Sequence, residues 1–324
     1  MNNRLLKGTG MFVPELCIGT VSFGREIDDK GADKIVSEAI DCGANFFDTA
    51  DFYTGGESEK MLGRVMRGRR DKIIVETKVF FPVGEGCNEK GLSRRHILES
   101  VDKSLKALQT DYIDIYYMHA PDKNTPIEET LDTMSTLVRD GKVRYIGVSN
   151  YNAWQICEML WKCDKNNLVA PSLTQVGYNL LTRGLEHDLV PFLEKHNMGM
   201  IVYQPLCAGL LTGKYGWDQP IPPNSRFAVD PLHRDRYWTE KNFKAVEELK
   251  VIARELGISL VALALKWCLA HDYVSSVLMG VSRESQLAQN LRALEENAEF
   301  TPEVMTRCDE IWKTLDGTQY RYYR

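Results

Sequence analysis

Three apolar runs in the first 120 residues of this 324-residue chain each end beside a residue able to move a proton. The run Ala44 to Phe47 stops at Asp48, and Tyr53 follows five residues later. The run beginning Lys72-Ile73-Ile74-Val75 continues through Glu76 and Thr77 to Lys78, and Tyr112 to Met118 ends at His119. Short apolar runs of this kind suit buried strands. If the three strands lie parallel in a barrel, their ends share the face on which such barrels keep their active sites. A carboxylate, a phenol, an ammonium and an imidazole then meet at one pocket mouth. Taken singly, each has a duller reading: a strand-end cap, a loop aromatic, a solvated lysine, a satisfied buried histidine. Their joint placement favours catalysis. Asp51 is the rival acid, and the spacing to Tyr53 favours Asp48.

The elements that must position these residues alternate regularly. Arg4 to Leu16 reads as a hairpin around Gly8-Thr9-Gly10, followed by a first barrel strand from Leu16 to Thr20. Helices over 30–42, 57–67, 93–108, 126–140, 152–162 and 185–196 precede strands over 44–48, 72–78, 112–118, 143–148, 172–176 and 199–203. After a long loop come helices 240–256 and 259–271, strand 275–279 and helix 283–295. Helices between successive strands impose parallel, right-handed crossovers. Eight such units about thirty residues apart fit a (β/α)8 TIM barrel, read as one domain over 1–324. A doubly wound sheet is the rival. It is weakened because no Gly-x-Gly-x-x-Gly follows a strand, and no phosphate-binding P-loop occurs.

Composition narrows the partners. A net charge of -5 gives no general attraction to nucleic acid or to an anionic membrane. The apolar stretch from Leu260 to Leu265 is too short to span a bilayer, and the first residues lack the apolar core of a signal peptide. The eight cysteines are scattered without Cys-x-x-Cys pairing, which speaks against structural zinc or a disulfide framework and for a reducing cytoplasm. No metal site is expected. Cys17 and Cys42 read as core fillers. Arg64, Arg67, Arg69 and Arg70 sit at a helix end, where cations suit the dipole. No heptad or apolar stripe marks an oligomer interface.

Four motifs in order on the right strand ends resemble the aldo-keto reductases: Phe47-Asp48-Thr49-Ala50-x-x-Tyr53, Thr77-Lys78, His119, and Gly147-Val148-Ser149-Asn150. The resemblance runs almost end to end and is nearest to the branch holding bacterial reductases and potassium-channel β subunits. It implies the barrel with an N-terminal hairpin and extra C-terminal helices or loops. It also implies that Asp48, Tyr53, Lys78 and His119 form a catalytic tetrad. Tyr53 then gives a proton to a carbonyl oxygen as hydride reaches the carbon. Lys78 lowers the phenol pKa from its ordinary value of about 10. Asp48 orients Lys78, and neutral His119 fixes the carbonyl oxygen.

The same resemblance supplies a nicotinamide cofactor site. Gly19, Thr20, Val21 and Asp48 border it, and Ser149, Asn150 and Gln175 are polar strand tips suited to a carboxamide. Tyr203 stacks on the ring. Gln204, Pro205, Leu206, Cys207, Gly209, Leu211 and Lys214 cover the pyrophosphate, and Arg226, in Ile221-Pro222-Pro223-Asn224-Ser225-Arg226, reaches the cofactor. Gly280, Ser282, Arg283, Gln286, Gln289 and Asn290 take the adenosine end, where a helix start faces a phosphate. This favours NADPH. Many relatives carry arginine in place of Ser282 and glutamate in place of Gln289, which keeps NADH and an NAD-preferring dehydrogenase open. A regulatory NADP(H)-holding protein of the channel-subunit kind is the other alternative, and His119, where that pattern has asparagine, weighs against it. The substrate class is an aldehyde, ketone or keto-sugar-like carbonyl, with Val21, Phe23, Phe52, Phe80 and Phe81 as pocket lining. The tail Tyr320-Arg321-Tyr322-Tyr323-Arg324 either folds over the mouth or frays.

Overall fold

A computed structural model describes residues 1–223 and 225–315 of the chain; Asn224 and the Tyr320–Arg324 tail lie outside these. Strands β1 (Asn3–Leu5) and β2 (Phe12–Pro14) form an antiparallel hairpin. Eight parallel strands then close a barrel. They are β3 (Leu16–Gly19), β4 (Phe46–Asp48), β5 (Ile74–Val79), β6 (Ile113–Met118), β7 (Val143–Ser149), β8 (Leu173–Gly177), β9 (Gly199–Tyr203) and β10 (Ser276–Gly280), with β10 closing onto β3. The (β/α)8 barrel expected from the alternation is the fold observed.

Helices α1 (Asp29–Asp41), α2 (Glu57–Val65), α3 (Arg94–Leu108), α4 (Ile127–Arg139), α5 (Ala153–Asn166) and α6 (Leu189–Lys195) return the chain between strands β3 to β9. Each buries one stripe on the sheet, as Ile35, Val36 and Ala39 do in α1. Side-chain caps start several of them: Asp28 accepts from the Gly31 amide and Ser93 from the His96 amide. Each such cap stabilises its helix by about 1 kcal/mol. Some strands are shorter than the expected runs, while β8, β9 and β10 keep the expected length and β7 extends one residue further, to Ser149. The second barrel strand begins at Phe46 because Gly43, with φ at 76°, turns the chain and Ala44 still bonds back to Ala39.

The long loop after β9 is not structureless. It holds a tight turn over Cys207–Thr212 and the short helices α7 (Arg226–Val229) and α8 (Pro231–Tyr237). Helices α9 (Glu240–Glu255) and α10 (Leu260–Leu269) precede β10, and α11 (Glu284–Glu295) follows it. A further helix, α12 (Pro302–Leu315), packs on α9 and buries Val304, Cys308, Ile311, Trp312 and Leu315. Arg183, buried beneath it, holds Asp309 at 2.7 Å.

Two apolar clusters result. One fills the annulus between sheet and helices. The smaller one fills the barrel interior with Cys17, Phe46, Ile115, Tyr117, Leu173 and Ile201, and the hairpin inserts Leu6 and Val13 beneath them. Each of those two side chains contributes roughly 1.5–3 kcal/mol by leaving water, so the hairpin plugs the end of the barrel opposite the strand tips. Two expectations fail here. Cys42 is exposed and caps α1 instead of filling the core, and Phe23 is fully buried in the annular cluster instead of lining a pocket. The arginine cluster is absorbed locally: Arg64 by Asp29 and Glu57, Arg67 by Gln109, Arg69 by Asp33, and Arg70 by Asp114.

Candidate active site

Strand register brings the four proton-moving residues together. Asp48 stands beside Gly19 and Glu76, and Lys78 beside Tyr117. The Lys78 ammonium is fully buried and its three donors are all committed: to the Asp48 carboxylate, to the Thr49 carbonyl at 2.7 Å, and to the Tyr53 hydroxyl at 3.4 Å. The chain reaches Tyr53 by turning sharply beyond it. Thr54, Gly55 and Gly56 take φ of 50°, 65° and 85°, three successive left-handed residues, and Thr54 donates to the Phe23 carbonyl at 2.8 Å. His119 completes the group, with its ring centroid 6.2 Å from that of Tyr53. Phe52 and Phe81 close around it at 5.6 and 4.9 Å.

Burial and charge act against one another at each group. Burial alone pulls Lys78 down, but Asp48, Tyr53 and Glu76 outweigh it and hold the lysine above its ordinary value. His119 is pushed well below its usual range by burial and then by the Lys78 charge, so its imidazole is neutral at physiological pH. Its Nδ1 is buried without a partner among the described residues. Tyr53 departs from expectation. Lys78 does favour the phenolate, yet burial dominates and pushes the phenol up to about 12. In this form Tyr53 is a proton donor across the neutral range, not a phenol tuned towards 7.

The residues expected at the nicotinamide gather on the adjoining strand ends. Asn150, with φ at 64°, ends β7 and ties three strands: its amide donates to the His119 carbonyl and to Ser149 Oγ, both at 3.0 Å, and its oxygen accepts from the Tyr203 hydroxyl at 2.7 Å. Gln175 Nε2 crosses the barrel to Asp48 Oδ1 at 2.9 Å and Glu76 Oε1 at 2.7 Å. Thr20 holds Asp48 from behind, through its carbonyl at 2.9 Å. Gly19 lets β10 approach, since a Cβ there would meet Leu278 at 3.0 Å. Val21 is half-buried at the mouth.

The segment after β9 divides. Cys207 and Leu211 are fully buried, so only their backbone faces any ligand, and Pro205 is buried too. Gln204 is held by α8: its oxygen accepts from Tyr237 at 2.7 Å and its amide meets the His233 ring. Leu206 and Gly209 are half-buried, Lys214 is exposed, and Arg226 is exposed beside Asp230. At the far end, a cleft of about 790 Å³ opens between the β3–α1 loop, α2 and the start of α11. Ser282 and Arg283 line it. Gln286 does not face it with its oxygen, which accepts from the Ser282 and Arg283 amides as a helix cap. Gly280 and Gln289 are exposed and Asn290 is buried. Register sets Gly280, two residues before Ser282, beside Gly19, which in turn pairs with Asp48. Polar tips at one end and an arginine-bearing cleft at the other fit a nicotinamide dinucleotide. Among the described residues no group of His, Cys, Asp or Glu is placed to hold a metal, and no helix is long and apolar enough to cross a membrane.

The sequence pattern of the Aldo/keto reductase family matches residues 15–313. This chain belongs to that family. Two relatives described as probable voltage-gated potassium channel subunit beta, one from Oryza sativa subsp. japonica and one from Arabidopsis thaliana, are each 38% identical over 318 residues, covering 96% of both chains. Membership in the Aldo/keto reductase family implies NAD(P)H-dependent carbonyl chemistry in general terms.

Sequence reasoning passed over Glu76 and Thr49. Thr49 contributes only its carbonyl to Lys78, which no residue type signals. Glu76 did carry a signal, an acid inside an otherwise apolar strand. Its partners Gln175 and Tyr117 come from strands 99 and 41 residues away and meet it only when the barrel closes.

Proposed function

We propose that this aldo/keto reductase reduces an aldehyde, ketone or keto-sugar-like carbonyl to the alcohol, reversibly, with NADPH as the preferred reductant. The observation carrying this reading is the buried Lys78 ammonium, which joins the Asp48 carboxylate and the Tyr53 phenol in one cluster at the strand tips. When bound, the reduced nicotinamide supplies hydride to the carbonyl carbon. The chain does the rest. Tyr53 hands its hydroxyl proton to the carbonyl oxygen, and Lys78 stabilises the phenolate left behind. Asp48 keeps Lys78 charged and aimed. Neutral His119 orients the carbonyl oxygen, and Phe52 and Phe81 keep water from it. Preference for NADPH rests on Arg283 at the cleft, a cation with no acid within ion-pair distance among the described residues.

Fluorescence titration with NADPH and NADH, followed by cofactor consumption over a panel of small carbonyls, tests the reading. Tyr53→Phe keeps NADPH binding and loses at least about 10²-fold in turnover, the usual scale for a general acid. A variant that keeps most of its rate removes Tyr53 from the role. A second reading, a regulatory subunit that holds NADP(H), is favoured by the names of the two plant relatives. Tight binding with no turnover on any carbonyl would select it.

A further inference from the structure

Strand β5 carries a second acid two residues before Lys78, and the chemistry above leaves it idle. Glu76 is fully buried, and the two-residue period of a strand points it, like Lys78, into the barrel. Four other strands meet its carboxyl. From β8, Gln175 Nε2 donates to Oε1 at 2.7 Å, and from β6 the Tyr117 hydroxyl donates to Oε2 at 2.8 Å. From β3, Cys17 Sγ lies 3.8 Å from Oε1. From β4, Asp48 is its register partner, and Gln175 Nε2 bridges the two carboxyl groups, at 2.9 Å from Asp48 Oδ1 and 2.7 Å from Glu76 Oε1. Gly147 makes room for this arrangement, because a Cβ there would lie 2.4 Å from the Tyr117 ring.

Two carboxyl groups buried under one shared amide nitrogen repel if both are ionised, so one of them holds a proton unless a cation pairs with each. The titratable groups facing Glu76 are Cys17, Asp48, Lys78, Tyr53 and Tyr117, and Lys78 is the one cation among them. Its three donors go to Asp48, Thr49 and Tyr53, leaving none for Glu76. Asp48 therefore holds the charge, and an ionised Glu76 would be an unpaired carboxylate away from water. Burial and the neighbouring Asp48 charge push Glu76 in the same direction, well above the ordinary carboxyl range.

We propose that Glu76 is a positioning residue that carries a proton at neutral pH beside the charged Asp48 and holds Gln175 in register with that carboxylate. Both amide hydrogens of Gln175 then point inward, to Asp48 and Glu76, so its oxygen is the end offered to a nicotinamide carboxamide. A charged Glu76 would instead add a second negative charge under Tyr53 and make the phenol a weaker acid. The effect on Gln175 rests on the reductase reading; the protonation of Glu76 does not.

Infrared difference spectroscopy on the purified full chain without cofactor, wild type minus Glu76→Gln, decides the protonation. The expected result is a protonated-carboxyl C=O band that persists from about pH 6 to about pH 8, shifts in D2O and vanishes in the variant. Bands from Asp51 and Glu59, whose carboxyls are also raised, cancel in this difference. Absence of the band overturns the proposal. Positioning is read from NADPH affinity by fluorescence. Glu76→Leu weakens it about tenfold, whereas Glu76→Gln, which like a protonated acid can both donate and accept, stays within about threefold of wild type. A Gln variant as weak as the Leu variant overturns the positioning role, and if the Leu variant does not fold, Glu76→Gln alone decides by whether it stays within that limit. Failure of every carbonyl to turn over would remove the reductase reading while leaving the infrared result standing.

Discussion

The two ends of the proposed cofactor surface hold their charges differently. At the strand tips, Lys78, Asp48 and Glu76 are shut away from water, held by the pairing of β4 with β5 and by Gln175 reaching across from β8. In the cleft, Arg25 pairs with Glu26, and Arg64 with Asp29 and Glu57, all on exposed side chains. Exposed pairs contribute little and give way easily, whereas a buried pair loses several kcal/mol when one member goes. The tips are therefore pre-organised for chemistry, and the cleft can exchange partners as a charged ligand arrives. Moving a reacting group by an ångström costs far more than moving a phosphate ligand does.

The largest expected effect comes from emptying the lysine position. Lys78→Met leaves Asp48 buried without its cation and Tyr53 without its stabilising neighbour. Turnover with NADPH should fall by about 10²–10⁴-fold, and the melting temperature should drop as well, since an uncompensated charge remains inside. Equal stability with unchanged turnover would mean that the tips are as adjustable as the cleft. A gentler probe is the pH profile of carbonyl reduction by the wild type. With Tyr53 pushed up to about 12 and His119 held neutral, kcat should be flat from about pH 6 to about pH 9. A limb centred near neutrality would show that the bound cofactor lowers the phenol by several units.

How much of this was legible beforehand follows from the same contrast. Asp48, Lys78 and His119 each close an apolar run, so sequence alone could place them on one face once the alternation implied a barrel. The residues that hold them could not be read so easily. Gln175 reaches Asp48 across 127 residues, and no local pattern announces that a glutamine will bridge two acids. The acidity of Tyr53 was misjudged for a related reason. A neighbouring lysine is visible in a motif, but the closure of Phe52 and Phe81 around the site is not, and burial decided the sign. In the long loop, Gln204 looked like a cofactor contact, whereas Tyr237 and His233 of an unforeseen helix occupy its side chain. The apolar positions of α12, by contrast, recur at helical spacing from Val304 to Leu315 and were available to be read.

At the cleft, Arg283→Ala should lower NADPH affinity about tenfold and leave NADH nearly unchanged, the scale of one charge-assisted hydrogen bond to the 2′-phosphate. Equal losses for both cofactors would take Arg283 out of the phosphate site. Because exposed cations can be replaced by neighbours, Arg25 and Arg64 limit the loss, and their removal together with Arg283 should deepen it. No such compensation is open to Lys78.

The smallest effect expected tests whether closing the tips has a cost. Asp51 lies in the same turn as Tyr53, buried, and neither carboxyl oxygen has a hydrogen-bond partner of normal geometry among the described residues. Burial, then the nearby Glu59 charge, raises its carboxyl from 3.8 to about 8. In the unfolded chain the acid ionises at its ordinary value, so between about pH 4 and about pH 8 unfolding releases a proton that the folded protein retains. Stability contributed by the protonated form is complete below that window and is lost as pH rises through it. Asn in place of Asp51 removes the ionisation without changing the shape. The melting temperature of Asp51→Asn should therefore match wild type near pH 4 and exceed it by roughly 2–4 °C above pH 8. A gain that is the same at every pH would mean that Asp51 is hydrated in solution, and that the wall around Tyr53 is more open to water than its packing indicates.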